Sequence, residues 1–116
     1  LAVRGDRNQL QQCFLNIIFN AIEAMPSGGQ LTIALEKDCD TNVARVEIRD
    51  TGYGIAEENL ESIFDPFFSF QKNGEATGLG LSIVYGVVKS HLGEIKVNSK
   101  VGKGSTFILG FPLYTS

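Results

Sequence analysis

The chain is short of the residues that most enzymes use for covalent chemistry. It has one histidine, His91, and two cysteines, Cys13 and Cys39, in 116 residues. With a single imidazole near the end of an apolar stretch, no Ser-His-Asp or Cys-His arrangement can be assembled, and a helix-capping role is expected for it. There is no CxxC and no metal-ligand spacing. Cys13 falls in an apolar helical pattern and Cys39 in a polar turn, so both read as free thiols in a reducing compartment. Basic charge is also scarce: the formal net charge is −3. That argues against a nucleic-acid partner, whose surfaces are usually basic. No apolar run approaches the roughly 20 residues of a membrane span, so direct membrane contact is not expected. The first residue is Leu1, no signal peptide is present, and the chain reads as a fragment of something longer. Its length suits one domain, 1–116.

Apolar periodicity then sets out the elements. Residues 6 to 25 read as a helix, with Asp6 as N-cap, Gln9 completing a capping-box-like pair, and Leu10, Phe14, Ile17, Ile18, Ala21 and Ile22 at helical spacing. Leu15 and Phe19 widen its apolar face, so burial on most sides is expected. "LTIALEK" and "VARVEIRD" alternate and read as a hairpin. "EENLESIF" reads as a short helix inside a long loop. "GLGLSIVYGVVKSH" reads as a second helix, and "GEIKVNSK" and "STFILGF" as closing strands. A short strand at "LAVRG" is a further candidate. The order predicts an α+β or mixed α/β sandwich, with helices packed on one face of a sheet.

Four features carry chemistry. Asn16 and Asn20 stand one turn apart in "LNIIFNAIEAM", so their amides share a face; buried amides need partners. They are either core hydrogen-bonders or ligands of a hard cation such as Mg²⁺, which takes oxygen donors and keeps waters and substrate phosphates. Glu23, about one turn on, is positioned to act through water on the same ion. Asp50 shares a strand face with Val46 and Ile48, hence points inward. A carboxylate there needs donors, and the exocyclic amine of a purine is one; the rival reading is a turn cap facing water. Gly52 and Gly54, in the GxGI that ends with Ile55, leave room for a flat ligand beside it. Gly78 and Gly80 open the second helix, where free N–H groups attract phosphate. Neither pair is a dinucleotide fingerprint, since Ile83 and Glu57 stand where a third glycine is needed, and there is no P-loop. Finally, Phe64, Phe67, Phe68 and Phe70 crowd a long loop, which reads as a functional lid or as a small satellite core.

Taken together, "NIIFNAIEAM", "DTGYGI", "FDPFF" and "TGLGL" resemble, in order and spacing, the motifs of the catalytic, ATP-binding domain of sensor histidine kinases. "HLGEIKVNSKVGKGSTF" is similar to that family's closing segment. The match runs over nearly the whole chain and looks closest to the nitrogen-regulatory or PAS-linked type. The resemblance implies a two-layer α/β sandwich with helices on one face of a mixed, mostly antiparallel sheet and a long ATP lid; the family shares its fold with gyrase, heat-shock chaperone and mismatch-repair ATPases.

The resemblance implies roles. Asn20 is the Mg²⁺ ligand and Asn16 its partner near the phosphates. Asp50 recognises the adenine amino group, with Gly52, Gly54 and Ile55 beside it. Gly78, Leu79, Gly80 and Leu81 lie under the phosphates. Phe67 and Phe68 belong to the lid, and Ser105 or Thr106 brings a hydroxyl near adenine. Lys72 is a phosphate contact in the family's pattern, but aligned without gaps that slot holds Gln71. Ala76 replaces a glycine common before "TGLGL". Gyrase-like relatives carry a glutamate as general base where this chain has Asn16, which cannot accept a proton. The implied activity is transfer of the γ-phosphoryl group of Mg-ATP to a histidine on a separate helical dimerisation hairpin, then to a response regulator receiver domain, in the cytoplasm. The alternatives are another ATPase or an anti-sigma-factor type serine kinase of the same fold, or a non-enzymatic nucleotide sensor.

Overall fold

Asp6 starts the first helix, α1 (Arg7–Glu23), by accepting the Gln9 main-chain N–H on its carboxylate at 3.0 Å. The main-chain N–H of Asp6 itself goes to Nε2 of His91, 2.9 Å away. That is the donor a capping-box glutamine would have taken, so the second helix supplies what Gln9 was expected to supply. His91 Nδ1 lies 2.8 Å from the Val87 carbonyl. Since a carbonyl only accepts and Nε2 is itself an acceptor here, the ring proton sits on Nδ1. One imidazole therefore caps the end of the second helix and holds the start of α1.

In this computed structural model, which describes residues 5–38, 40–65 and 80–113, α1 is followed by β1 (Leu31–Asp38) and β2 (Val43–Asp50). A single 3₁₀ turn at Glu57–Asn59 is all the helix that forms in "EENLESIF". Then come α2 (Gly80–Ser90), β3 (Glu94–Lys100) and β4 (Gly104–Pro112). The sheet order is β1-β2-β4-β3, and every pairing among the described strands is antiparallel. The parallel component of the expected mixed sheet has no counterpart among them; "LAVRG" lies outside the described residues except for Gly5. Asp38 turns the first hairpin: its carboxylate accepts the N–H groups of Asp40 and Thr41. Those Thr41 hydrogen bonds, with Arg45 alongside, hold its carboxyl below the usual range.

Both helices pack on one face of the sheet. Strand alternation sends Ala44, Val46, Ile48 and Asp50 of β2, and Ser105, Phe107, Leu109 and Phe111 of β4, to that face. The core there is closed by Cys13 and Ile17 of α1, Leu81, Val84 and Val88 of α2, and Ile55 and Ile63 of the intervening loop. Phe14 meets Phe111 edge to face at 6.1 Å. Phe64 packs against this core and stacks on Tyr85 at 5.4 Å, the satellite-core role; Phe67, Phe68 and Phe70 lie outside the described residues.

One expectation is corrected. Helix α1 is not buried on most sides: Leu15, Phe19 and Ile22 are 39%, 55% and 52% exposed, and only Cys13, Ile17 and Ala21 are buried within it. A helix's apolar width states what can be buried, and α2 and the inner strands occupy only one stripe of it. On edge strand β1, Leu31, Ile33 and Leu35 share the helix-side face and are likewise exposed.

Candidate nucleotide site

Asp50 ends β2 with its side chain on the helix side of the sheet, 4% exposed. Its Oδ1 accepts two main-chain N–H groups, from Gly52 at 2.9 Å and from Ser105 at 3.3 Å. Among the described residues Oδ2 has no hydrogen-bond partner. A buried carboxylate oxygen without a donor costs several times an ordinary hydrogen bond, so this geometry fits a ligand that brings an N–H. The carboxylate does cap the turn at Gly52, as the rival reading expected, but it does so from inside and with one oxygen only.

The slot onto which Asp50 opens is walled by Ala21 and Ala24 of α1, by Tyr53, Gly54 and Ile55 after β2, and by Ser105 and Phe107 of β4, with Asn20 at its edge. Its walls stand close, enclosing a free volume of about 10 Å³, room for at most a single water. Tyr53 was not singled out in the sequence, although its position between two glycines marks it. It is 40% exposed, and burial together with the carboxylates of Glu23 and Asp50 pushes its phenol up. Glu23 itself is exposed.

The glycines work differently from expectation. A Cβ on Gly52 would come within 2.3 Å of the Ala24 carbonyl, and one on Gly54, where φ is +77°, within 2.2 Å of the Lys100 carbonyl. The room they leave is occupied by the chain's own backbone. They allow the turn to press between α1 and the β3–β4 hairpin, which is what seats Ile55 in the slot and brings Asp50 to α1. The Ile55 N–H is held by Ser99 Oγ at 2.7 Å.

The two amides of α1 have separate fates. Asn16 Nδ2 donates to the Gly80 carbonyl at 3.3 Å, and its Oδ1 accepts from Gln12 at 2.8 Å. Asn20 has no side-chain hydrogen bond among the described residues and is half-buried. Gly80 stands over both: a Cβ there would lie 4.0 Å from Asn16 Cβ and from Asn20 Nδ2. The N-terminal turn of α2 thus meets α1 where the uncommitted amide lies, next to the Asp50 slot. Among the described residues no three His, Cys, Asp or Glu side chains converge. An amide oxygen with no partner among the described residues, beside a helix N-terminus, suits a cation held mainly by waters and phosphate oxygens, as Mg²⁺ usually is.

Of the other candidates, Ser105 is buried in the slot. Thr106 points to the opposite face of the sheet, level with Arg49 and Asn98, and is thereby removed from the site. Leu81 is a core residue, 5% exposed, and contributes to the site only through the helix it anchors. Lys72, Gly78 and Leu79, with Gln71 and Ala76, lie outside the described residues, as does Cys39.

Comparison with known proteins decides the family. Residues 5–115 match the model of the histidine kinase-, DNA gyrase B-, and HSP90-like ATPases. The chain belongs to that family. Within it, the domain is homologous to sensor histidine kinase catalytic domains. It is 46% identical over 111 residues to sporulation kinase C of Bacillus subtilis, covering 96% of this chain and 25% of that protein. It is 40% identical over 112 residues to the sensor histidine kinase ZraS of Salmonella typhimurium, covering 96% and 23%. The fold superposes on the mycobacterial sensor histidine kinase MprB with a TM-score of 0.84 at 31% identity, over 95% of this chain and 74% of that one. On the catalytic domain of histidine kinase ThkA the TM-score is 0.81 at 35% identity, over 95% and 70%. This kinase-family domain spans about a quarter of the length of the first of these relatives.

Proposed function

We propose that this domain binds Mg-ATP and passes the γ-phosphoryl group to a histidine on a separate helical dimerisation hairpin of its parent sensor kinase. From there the group goes to a response regulator receiver domain, in the cytoplasm. The observation that carries the reading is the half-satisfied, buried Asp50 at the slot: Oδ1 is held by two N–H groups, and Oδ2 has no donor among the described residues.

Adenine enters the slot with its amino group toward Asp50 Oδ2, between the alanines of α1 and Ile55. The slot's free volume is too small for a purine, so binding widens it, and half-exposed Tyr53 is the wall best able to move. The phosphates then lie toward Asn20 and the first turn of α2, whose dipole favours negative charge. Asn20 Oδ1 is the protein oxygen offered to Mg²⁺, with Glu23 acting through water; the ion, when bound, neutralises charge on the transferring phosphoryl group.

Asn16 is committed to Gly80 and Gln12 and takes no proton from water. Hydrolysis therefore lacks a base at that position, and the chain's contribution is positioning rather than covalent chemistry. The test is incubation with γ-labelled ATP. The domain alone should stay unlabelled and release phosphate slowly, and adding the parent kinase's hairpin should place label on its histidine. Rapid phosphate release by the domain alone, or label on a serine of a partner, would transfer the chain to the ATPase or serine-kinase reading. Tight ATP binding with no transfer by the full-length parent would leave a nucleotide sensor.

A further inference from the structure

Strand β3 alternates Ile95, Val97 and Ser99 on its inward face, so Ser99 is the polar member of an otherwise apolar row. Its hydroxyl is a three-way junction. It receives the Ile55 N–H at 2.7 Å, lies 3.0 Å from the Gly104 carbonyl, and lies 2.7 Å from the Ser105 hydroxyl.

A serine hydroxyl has one proton to give and two lone pairs to offer. The Gly104 carbonyl can only accept, so the Ser99 proton goes there. One lone pair takes the Ile55 N–H. The remaining lone pair faces Ser105, which must therefore be the donor in that contact. The direction of the ambiguous serine–serine bond is fixed by this count. Its consequence lies one residue away. Ser105 Oγ has spent its single proton on Ser99 and has only lone pairs left to offer the slot, which Ser105 lines together with Asp50.

We propose that Ser99 is a positioning residue for base selectivity. By holding the Ser105 proton away from the slot, it makes Ser105 a second acceptor next to Asp50, so the site takes a 6-amino purine and refuses a 6-oxo purine. An oxo group would bring an acceptor against two acceptors and give neither of them a proton. The inference rests on the adenine reading of the Asp50 slot and concerns what sharpens that reading.

The experiment compares ATP with inosine triphosphate, which carries a 6-oxo group on the same sugar and phosphates. Kd values are measured by calorimetry for the wild-type domain and for Ser99→Ala, Ser99→Thr, Ser105→Ala and Asp50→Asn. Ser99→Ala frees the Ser105 hydroxyl to turn its proton into the slot and donate to the oxo group. The preference for ATP should narrow about tenfold, the scale of one hydrogen bond gained or lost. Ser99→Thr keeps the hydroxyl and should keep the preference. Ser105→Ala should narrow it as well, and adding Ser99→Ala to Ser105→Ala should change it no further. A purely structural role for Ser99 would weaken both nucleotides together and leave their ratio alone; that result overturns the proposal. Should Ser99→Ala not fold, an unchanged ratio in Ser105→Ala overturns it equally. Asp50→Asn separates the two levels of the argument. If that variant leaves the ratio unchanged, the adenine reading of the slot fails. If it collapses the ratio while the serine variants do not, only the role of Ser99 fails.

Discussion

Asn16 Nδ2 donates to the Gly80 carbonyl across 3.3 Å, which ties the middle of α1 to the first residue of α2. The bond needs a donor on Asn16. Asn16→Asp replaces it with a carboxylate oxygen facing a carbonyl, an acceptor against an acceptor. The variant should lose about 1–2 kcal/mol of stability and bind Mg-ATP about tenfold more weakly, because the anion-binding turn is no longer seated. Urea unfolding and calorimetry measure the two effects; affinity that stays at the wild-type level would detach Asn16 from the site.

Asn20 gives the opposite pattern. Its amide has no partner among the described residues, so Asn20→Ala should shift the melting temperature by no more than about 2 °C. It should nevertheless remove most of the Mg²⁺ dependence of ATP binding, seen as converging Kd values with the ion and with a chelator. A variant that retains the wild-type Mg²⁺ dependence would rule out the assigned ligand.

Cys13 reports on the core through pH. It has no exposure at all, and burial pushes its thiol from 9.0 up to about 11. A folded-state pKa above the unfolded value means that the contribution is fully present below about pH 9 and is lost as pH rises toward 11. The thiolate form is welcome only in the unfolded chain. Stability should fall across that window by on the order of 2 kcal/mol, read from urea midpoints, and Cys13→Ala should lack that part of the fall. Alkylation of Cys13 should likewise require unfolding.

Leu92 ends α2 in a left-handed conformation, φ 60°, and is 82% exposed. The Gly93 N–H reaches back to Val88 and the Leu92 N–H to Lys89, the pattern in which glycine normally holds the left-handed position. Leu92→Gly should relieve backbone strain and raise stability by about 0.5–1 kcal/mol, the larger unfolded-state entropy of glycine offsetting part of the gain. Thermal unfolding checks the sign. A drop in stability would mean that the leucine side chain makes contacts worth more than the strain.

Much of this arrangement was legible in the sequence, and what was not has physical reasons. Period-two alternation through Val46 and Ile48 sent Asp50 inward, and one helical turn put Asn16 and Asn20 together. Periodicity gives a residue's face but not its neighbour. It therefore left open which hydroxyl, Ser105 or Thr106, reaches the slot. The answer depends on the register of β4 against β2, where Ser105 stands opposite Asp50. Gly52 and Gly54 announced a close approach without saying of what; Ala24 and Lys100 fill it. Leu15 and Phe19 announced a wide apolar face without a layer to cover it. Ser99 was available from the same alternation, as the one polar residue in line with Ile95 and Val97, but its use appears only when Ile55, Gly104 and Ser105 converge on it in space.

The account turns on Asp50 as the group that distinguishes adenine nucleotides. Calorimetric titration of the folded domain with ATP and with tripolyphosphate, both in magnesium, repeated on Asp50→Asn, tests it most directly. The variant should bind ATP at least about tenfold more weakly, the scale of a lost hydrogen bond to a charged group, while tripolyphosphate binding stays where it was. Equal loss for both ligands, or no loss for ATP, would contradict the account.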